Sequence, residues 1–310
     1  MTVAEVTLAV PTFHRADRLR DLLPRLQREA DSARDAAGVR AAILVIDNDP
    51  AGSAREVATA AGVGYVVEPS RGLAAVRNRA IAEAATARAL VFIDDDEVPA
   101  EGWLTHLVQR WQATGAAAVS GRVESVFEAA PDRWIAAGGF FTRVAFADGA
   151  RQPSAPTNNL LLDLEFVRAH DLAFDEAFGL SGGEDIHFTR RIVARGGSIV
   201  SSPDALVLDP VPPGRLTRRW VLQRAYRVGI TTARVDAALT TSAGARLRSR
   251  ATSVVNGLAR VGVGGARWLW GVLTRSDRHA ARGARTIARG GGMVLGAFGV
   301  DFAEYARRGR

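Results

Sequence analysis

Residues 89–96 read Ala-Leu-Val-Phe-Ile-Asp-Asp-Asp, and this stretch decides the fold. Five apolar residues in a row suit a strand buried on both faces, and the three carboxylates end it abruptly. Comparable apolar runs lie upstream at 6–10, 41–46 and 63–67. Between them, 17–30, 53–61 and 73–87 carry helix-forming residues with apolar positions three and four apart. Strand and helix alternate, which predicts an α/β fold with a Rossmann-like, mostly parallel sheet. In such sheets ligands gather outside the carboxyl ends of the strands. Pro11-Thr12-Phe13, Asp47-Asn48-Asp49, Ser70-Arg71-Gly72 and Asp94-Asp95-Asp96 are therefore expected along one edge.

Downstream the regularity fades. Residues 116–126 suit another strand, whereas 131–156 mixes Gly, Pro and aromatics without a period and reads as a loop facing an acceptor. Helix is expected again at 184–195, then strands near 198–201 and 205–208, then a Pro-rich stretch at 210–213. Beyond it the chain reads as helical and basic.

The chain has 310 residues, 47% hydrophobic and 24% charged, enough for a substantial ordered core. It contains no Cys, which excludes disulfides, thiolate zinc sites and a cysteine nucleophile. The net charge of +7 is unevenly placed: residues 1–210 hold 21 Arg against 29 acidic residues, and residues 211–310 hold 19 Arg against 4. Every basic side chain is Arg. The division predicts a catalytic domain over 1–210 and a helical, basic, membrane-associating region over 211–310, with an anionic membrane surface as partner. No recognisable nucleic-acid module accompanies the basic half, so nucleic acid is not expected as a partner. Residues 1–10 lack a basic segment followed by a long apolar stretch, so the catalytic part is expected in the cytoplasm.

Three carboxylates at one strand end repel one another unless a cation compensates, and hard oxygen ligands favour Mg²⁺ or Mn²⁺. The competing reading is an acidic cap on a helix starting near Glu101. Gly182-Gly183-Glu184-Asp185 sets two acids at a helix start, where Asp185 or Glu184 could accept a proton; an ordinary glycine turn is the alternative. Arg71 and Arg77 open a helix within reach of a nucleotide or diphosphate, or else are solvated surface arginines. Asp47 suits hydrogen bonding to a base or ribose, or an Asx-turn ahead of Pro50. Trp103, Trp134 and Phe140-Phe141 are candidates for stacking on an acceptor, with core packing as the rival.

Taken in order, Pro11-Thr12-Phe13, Ile46-Asp47-Asn48, Arg71-Gly72 with Val76-Arg77-Asn78, Ile93-Asp94-Asp95-Asp96, Asn158-Asn159, Phe174-Asp175-Glu176 and Gly183-Glu184-Asp185 resemble glycosyltransferase family 2 with the GT-A fold. The resemblance spans roughly residues 5–230. It implies an inverting transfer from a nucleoside-diphosphate sugar, a UDP-sugar being favoured, by direct displacement. Pro11, Thr12, Asp47, Arg71 and Asp95 would meet the nucleotide sugar. Asp94 and Asp96 would form the DxD pair, with Asp96 nearest the metal, and Asp185 would be the base. Asn158 would face the acceptor. Many such enzymes carry a further metal ligand after the last core strand, where this chain has Asp209.

Val211-Pro212-Pro213, Arg215-Leu216-Thr217 and 220–229 extend the likeness to bacterial exopolysaccharide-type members, whose acceptors are glycans or lipid-linked precursors. Residues 216–220 lack the Gln-x-x-Arg-Trp pattern of processive synthases, so one sugar per encounter is expected. Residues 251–274 are apolar, but Arg260 and Arg267 interrupt them on one helical face, which suits a helix lying in a membrane interface at the inner face of the membrane. Trp268 and Trp270 beside Arg267, Arg275 and Arg278 fit anionic headgroups, and packing on the core is the alternative. Two other functions compete: a non-catalytic membrane-associated scaffold on the same fold, and a nucleotidyltransferase. The latter usually needs a Gly-rich basic triphosphate loop where this chain has Pro11-Thr12-Phe13-His14-Arg15.

Overall fold

A computed structural model describes residues 4–179 and 181–300. These form two compact units, one of residues 4–124, 143–179 and 184–209, the other of residues 125–142, 181–183 and 210–300.

The first unit is built on β1 (Ala4–Thr12), β2 (Val39–Asp47), β3 (Gly64–Val67) and β4 (Ala89–Ile93), which pair in parallel in the order β3-β2-β1-β4. The sheet continues with β7 (Asn159–Asp163), β6 (Ala118–Phe127), β8 (Ile199–Val211) and the two-residue β5 (Val98–Pro99). β7 runs antiparallel to β4 and β6, so parallel pairing gives way at β4. All five residues of β4 are buried. Val91 and Ile93 enter the cluster that holds Leu19, Leu23 and Leu26 of α1 (Ala16–Ala37) and Trp103 and Leu107 of α4 (Trp103–Thr114). Leu90 and Phe92 point the other way, toward Val76 of α3 (Leu73–Glu83) and Phe188 and Ile192 of α7 (Glu184–Ala194). That two-residue alternation between helical layers is why the run has no polar face. α2 (Arg55–Ala60) and α6 (Leu164–Ala169) complete this unit.

Three expectations change. Residues 131–156 include a short helix, α5 (Arg133–Gly138). β7 follows directly, as a strand that the aperiodic stretch before it concealed. The strands expected at 198–201 and 205–208 are one strand, β8, because Ser202-Pro203-Asp204 between them also runs extended.

The second unit holds α5 and the long helices α8 (Arg218–Ala238), α9 (Ala243–Leu273) and α10 (Asp277–Ala297) around Trp134, Ile135, Phe140, Val221 and Ala281. Its helices meet through glycine. A Cβ placed on Gly257 would lie 2.8 Å from Gly290 O, and one on Gly292 would lie 2.0 Å from Tyr226 O. Among the described residues no helix is long and apolar enough to cross a membrane.

Candidate active site

Parallel pairing puts the carboxyl ends of β1, β2 and β4 on one edge, and hydrogen bonds tie them together. Thr12 Oγ1 donates to Asp95 Oδ2 at 2.7 Å. Arg15, just past β1, donates to Asp95 Oδ1 at 2.7 Å and to Asp96 Oδ2 at 3.0 Å. Asn48 Nδ2 donates to the carbonyls of Glu68 and Ser70, which fixes the loop carrying Arg71. Pro11 is buried and Arg71 exposed at this edge. Asp47 departs from expectation: it is fully buried, and its oxygens accept from the backbone N–H groups of Asp49 (2.9 Å) and Ala54 (2.8 Å) and from the Tyr65 hydroxyl (2.9 Å). The carboxylate expected to hold a nucleoside instead fastens the loop after β2, as an Asx-turn residue does. Burial, with the hydrogen bond to Asp47, pushes the Tyr65 hydroxyl up to about 12.

The acidic triplet is electrostatically loaded. Burial raises the Asp94 carboxyl to about 6; the charges of Asp96, Asp95 and Asp209 add to the rise and Arg77 opposes it. Burial also raises Asp95, against the pull of Arg15 and Thr12. Glu97 stands well above the usual carboxylate range, through burial and the nearby Asp94 charge. It accepts from Asn158 Nδ2 and from the Asp94 backbone N–H.

The second acidic pair is joined to the first through one cation. Arg77 and Glu184 form a buried ion pair across 107 residues of sequence. Arg77 also attracts the charges of Asp94 and Asp185. Nevertheless burial prevails: Glu184 is raised to about 7 and Asp185 is raised as well. Arg77 is therefore the buried counter-charge of the acidic groups, where sequence reasoning assigned it to the nucleotide. Its helix is fixed in place next door. Asn78 Nδ2 donates to Phe174 O at 2.9 Å, and the Phe174 N–H donates to Asn78 Oδ1 at 2.8 Å. At the start of α3, Gly72 has φ +111, and a Cβ there would lie 2.8 Å from Gly179 O, so only glycine permits this approach. Asp185 Oδ1 accepts from the Ile186 N–H at 2.7 Å in the first turn of α7.

Asp94 and Asp96 offer the hard oxygen atoms that Mg²⁺ or Mn²⁺ takes, and the mutual repulsion that raises Asp94 is what a divalent cation would relieve. Among the described residues no three His, Cys, Asp or Glu side chains converge as a metal cage. These ions are commonly held by one or two carboxylates together with substrate phosphate oxygens and waters, so the donor set fits. Asn158 Oδ1 and Glu184 Oε2 are, besides, buried acceptors without a hydrogen-bond partner. The expected third ligand, Asp209, is instead ion-paired with Arg143 at 2.7 Å. Trp103 is no acceptor platform: it is fully buried and its Nε1 donates to Asn159 Oδ1 at 2.8 Å. Trp134 is also buried, stacked on Phe140 and with the Arg218 guanidinium 5.0 Å from its ring centroid. Arg15, Glu97 and Arg143 were not singled out by sequence reasoning; the position of Arg15 three residues beyond Thr12 at a strand end was the available signal.

Residues 7–162 match the profile of Glycosyl transferase family 2. The chain is 32% identical over 202 residues to the succinoglycan biosynthesis protein ExoM of Rhizobium meliloti (strain 1021), covering 63% of this chain and 65% of that protein. It is 26% identical over 238 residues to glycosyltransferase AglE of Haloferax volcanii, covering 74% and 73%. A crystal structure of GalNAc-T7 with UDP, GalNAc and Mn²⁺ matches with a TM-score of 0.54 at 13% identity, over 75% of this chain and 51% of that one, a likeness of fold. The chain thus spans just under two thirds of the ExoM protein's length. With the profile covering half of the chain and the strand-end carboxylates inside it, the chain belongs to glycosyltransferase family 2 and has the GT-A fold.

Proposed function

We propose that this protein is a metal-dependent, inverting glycosyltransferase that moves one sugar from a nucleoside-diphosphate donor, a UDP-sugar being favoured, to a glycan or lipid-linked acceptor. One observation carries the reading: a single buried cation, Arg77, couples the strand-end carboxylate Asp94 to the helix-start pair Glu184 and Asp185. Sugar transfer needs both groups, one beside the leaving diphosphate and one beside the acceptor hydroxyl. Asp94 and Asp96 would hold Mn²⁺ or Mg²⁺, which when bound supplies positive charge to the leaving diphosphate. Arg15 lies against Asp95 and Asp96 and would turn to the donor phosphates. Asp185, raised by burial, takes the acceptor hydroxyl proton as that oxygen bonds to the anomeric carbon and the bond to the diphosphate breaks. Glu184, paired with Arg77, positions the helix start from which Asp185 acts. We further place the enzyme peripherally at the inner face of a membrane, where a lipid-linked acceptor would be held.

Asp185→Asn tests the assignment. Loss of donor consumption, with Mn²⁺-dependent UDP binding retained by calorimetry, is expected; unchanged turnover would remove Asp185 as the base.

A further inference from the structure

The glycine contacts of the helical unit give α9 a direction. Gly257, Gly264 and Gly271, spaced by seven, are its buried line against α10: added Cβ atoms would lie 2.8 Å from Gly290 O, 2.9 Å from Ile287 N and 2.2 Å from Ala280 N. A seven-residue repeat returns to nearly the same face of a helix. The opposite face therefore points away from α10. There Val255, Leu258, Val263, Leu269, Trp270 and Leu273 are each more than half exposed.

No charged side chain interrupts that face between residues 251 and 274, a length of about 36 Å at helical rise. The two charged residues of the stretch, Arg260 and Arg267, are also spaced by seven and flank the glycine line; Arg260 Cβ is 2.9 Å from the Cβ that Gly290 would carry. Arg246, Arg248 and Arg250 precede the face, and Arg275 and Arg278 follow it. The surroundings carry little negative charge in reserve: Asp132 is bonded to Arg218 and Asp277 to Arg133. An apolar helix face edged by arginines, too short in uninterrupted apolar sequence to cross a bilayer, has the make-up of an element lying in a headgroup layer.

We propose that the outer face of α9 docks on an anionic bilayer surface, its apolar residues entering the headgroup boundary and Arg260 and Arg267 reaching lipid phosphates from the side. This rests on the reading that the enzyme works at a membrane. It is tested apart from that reaction, because docking is measured without donor or acceptor and transfer is measured without vesicles.

The full chain is floated with vesicles of phosphatidylcholine alone and of phosphatidylcholine with phosphatidylglycerol. Flotation is expected with the anionic vesicles, weakening as salt rises, and falling about tenfold or more in Val263→Glu/Leu269→Glu. Both positions are exposed, so donor consumption in vesicle-free buffer should match the parent chain. In a second variant, Arg260→Gln/Arg267→Gln, the apolar face is intact and the preference for anionic vesicles should shrink. Three results would overturn the proposal: a parent chain that does not float, equal flotation of the glutamate variant, or a dimer by light scattering that the glutamate variant dissociates while vesicles bind neither form.

Discussion

The two units solve the packing problem in opposite ways. In the sheet unit large side chains fill the interior: Leu8, Phe92, Trp103 and Phe188 are fully buried, and polar groups collect at one edge. In the helical unit the closest contacts are made where side chains are missing, at Gly229, Gly257, Gly264, Gly283, Gly290 and Gly292, and large apolar residues remain outside on α9. The sheet unit can therefore tune a site by burial and charge. The helical unit keeps its apolar surface for another contact.

Five substitutions, one of them read through a pH titration, would break or sharpen that contrast. If chemistry belongs to the sheet edge, Asp185→Asn should lower kcat about 10²- to 10⁴-fold with little change in thermal midpoint. Phe188→Ala removes a ring that stacks on Phe174, with centroids 4.0 Å apart, and should cost about 3–5 kcal/mol in urea unfolding. Gly292→Ala runs in the reverse chemical direction, adding one methyl group 2.0 Å from Tyr226 O, and should cost about 1–3 kcal/mol in the same measurement. A matching loss from a gain and from a removal of volume would establish that the two interiors differ in kind.

The titration follows from Glu184, whose carboxyl is raised from 4.5 to about 7 by burial against the attraction of Arg77. A raised carboxyl binds its proton more tightly in the folded chain, so its stabilising effect is complete below about pH 4.5 and lost as pH passes about 7. Stability followed from pH 5 to pH 8 should fall, and Glu184→Gln should flatten that decline. The smallest effect is expected at Gly265, on the open side of α9, where an added Cβ meets nothing within 4 Å. Gly265→Ala should stabilise by about 0.5–1 kcal/mol, opposite in sign to Gly292→Ala.

How legible each part was in the sequence depends on the range of the forces involved. β1 to β4 and the Asp94–Asp96 turn were readable because a doubly covered strand must be apolar throughout and its end must not be. β7 was not, because Leu160-Leu161-Leu162 follows an aperiodic stretch and its antiparallel partners β4 and β6 are remote in the chain. Asp185 could be located by the glycine turn before it. The position of Arg77 could not: its charge was visible, but burial beside a carboxylate more than a hundred residues away leaves no local pattern. Asp47 shows the converse, since the local Asx-turn signal was present and the structure follows it. Trp103 and Trp134 show that an aromatic side chain reveals bulk, whereas exposure is set by neighbours drawn from distant segments.

The span of the Arg77 to Glu184 pair also bears on how the protein is made. A chain emerging from the ribosome completes β1 to β4 and α3 long before residue 184 is synthesised, so Arg77 has Asp94 as counter-charge well before its ion-pair partner Glu184 exists. The Asn78 clamp on Phe174 also waits. Burying that guanidinium without its ion-pair partner is unfavourable, so closing α3 over the sheet is favoured by the arrival of α7. The docking of α7 thus assembles the candidate catalytic pair, with only β8 of the sheet unit still to follow in the chain, and a prematurely terminated chain that lacks α7 lacks both acids.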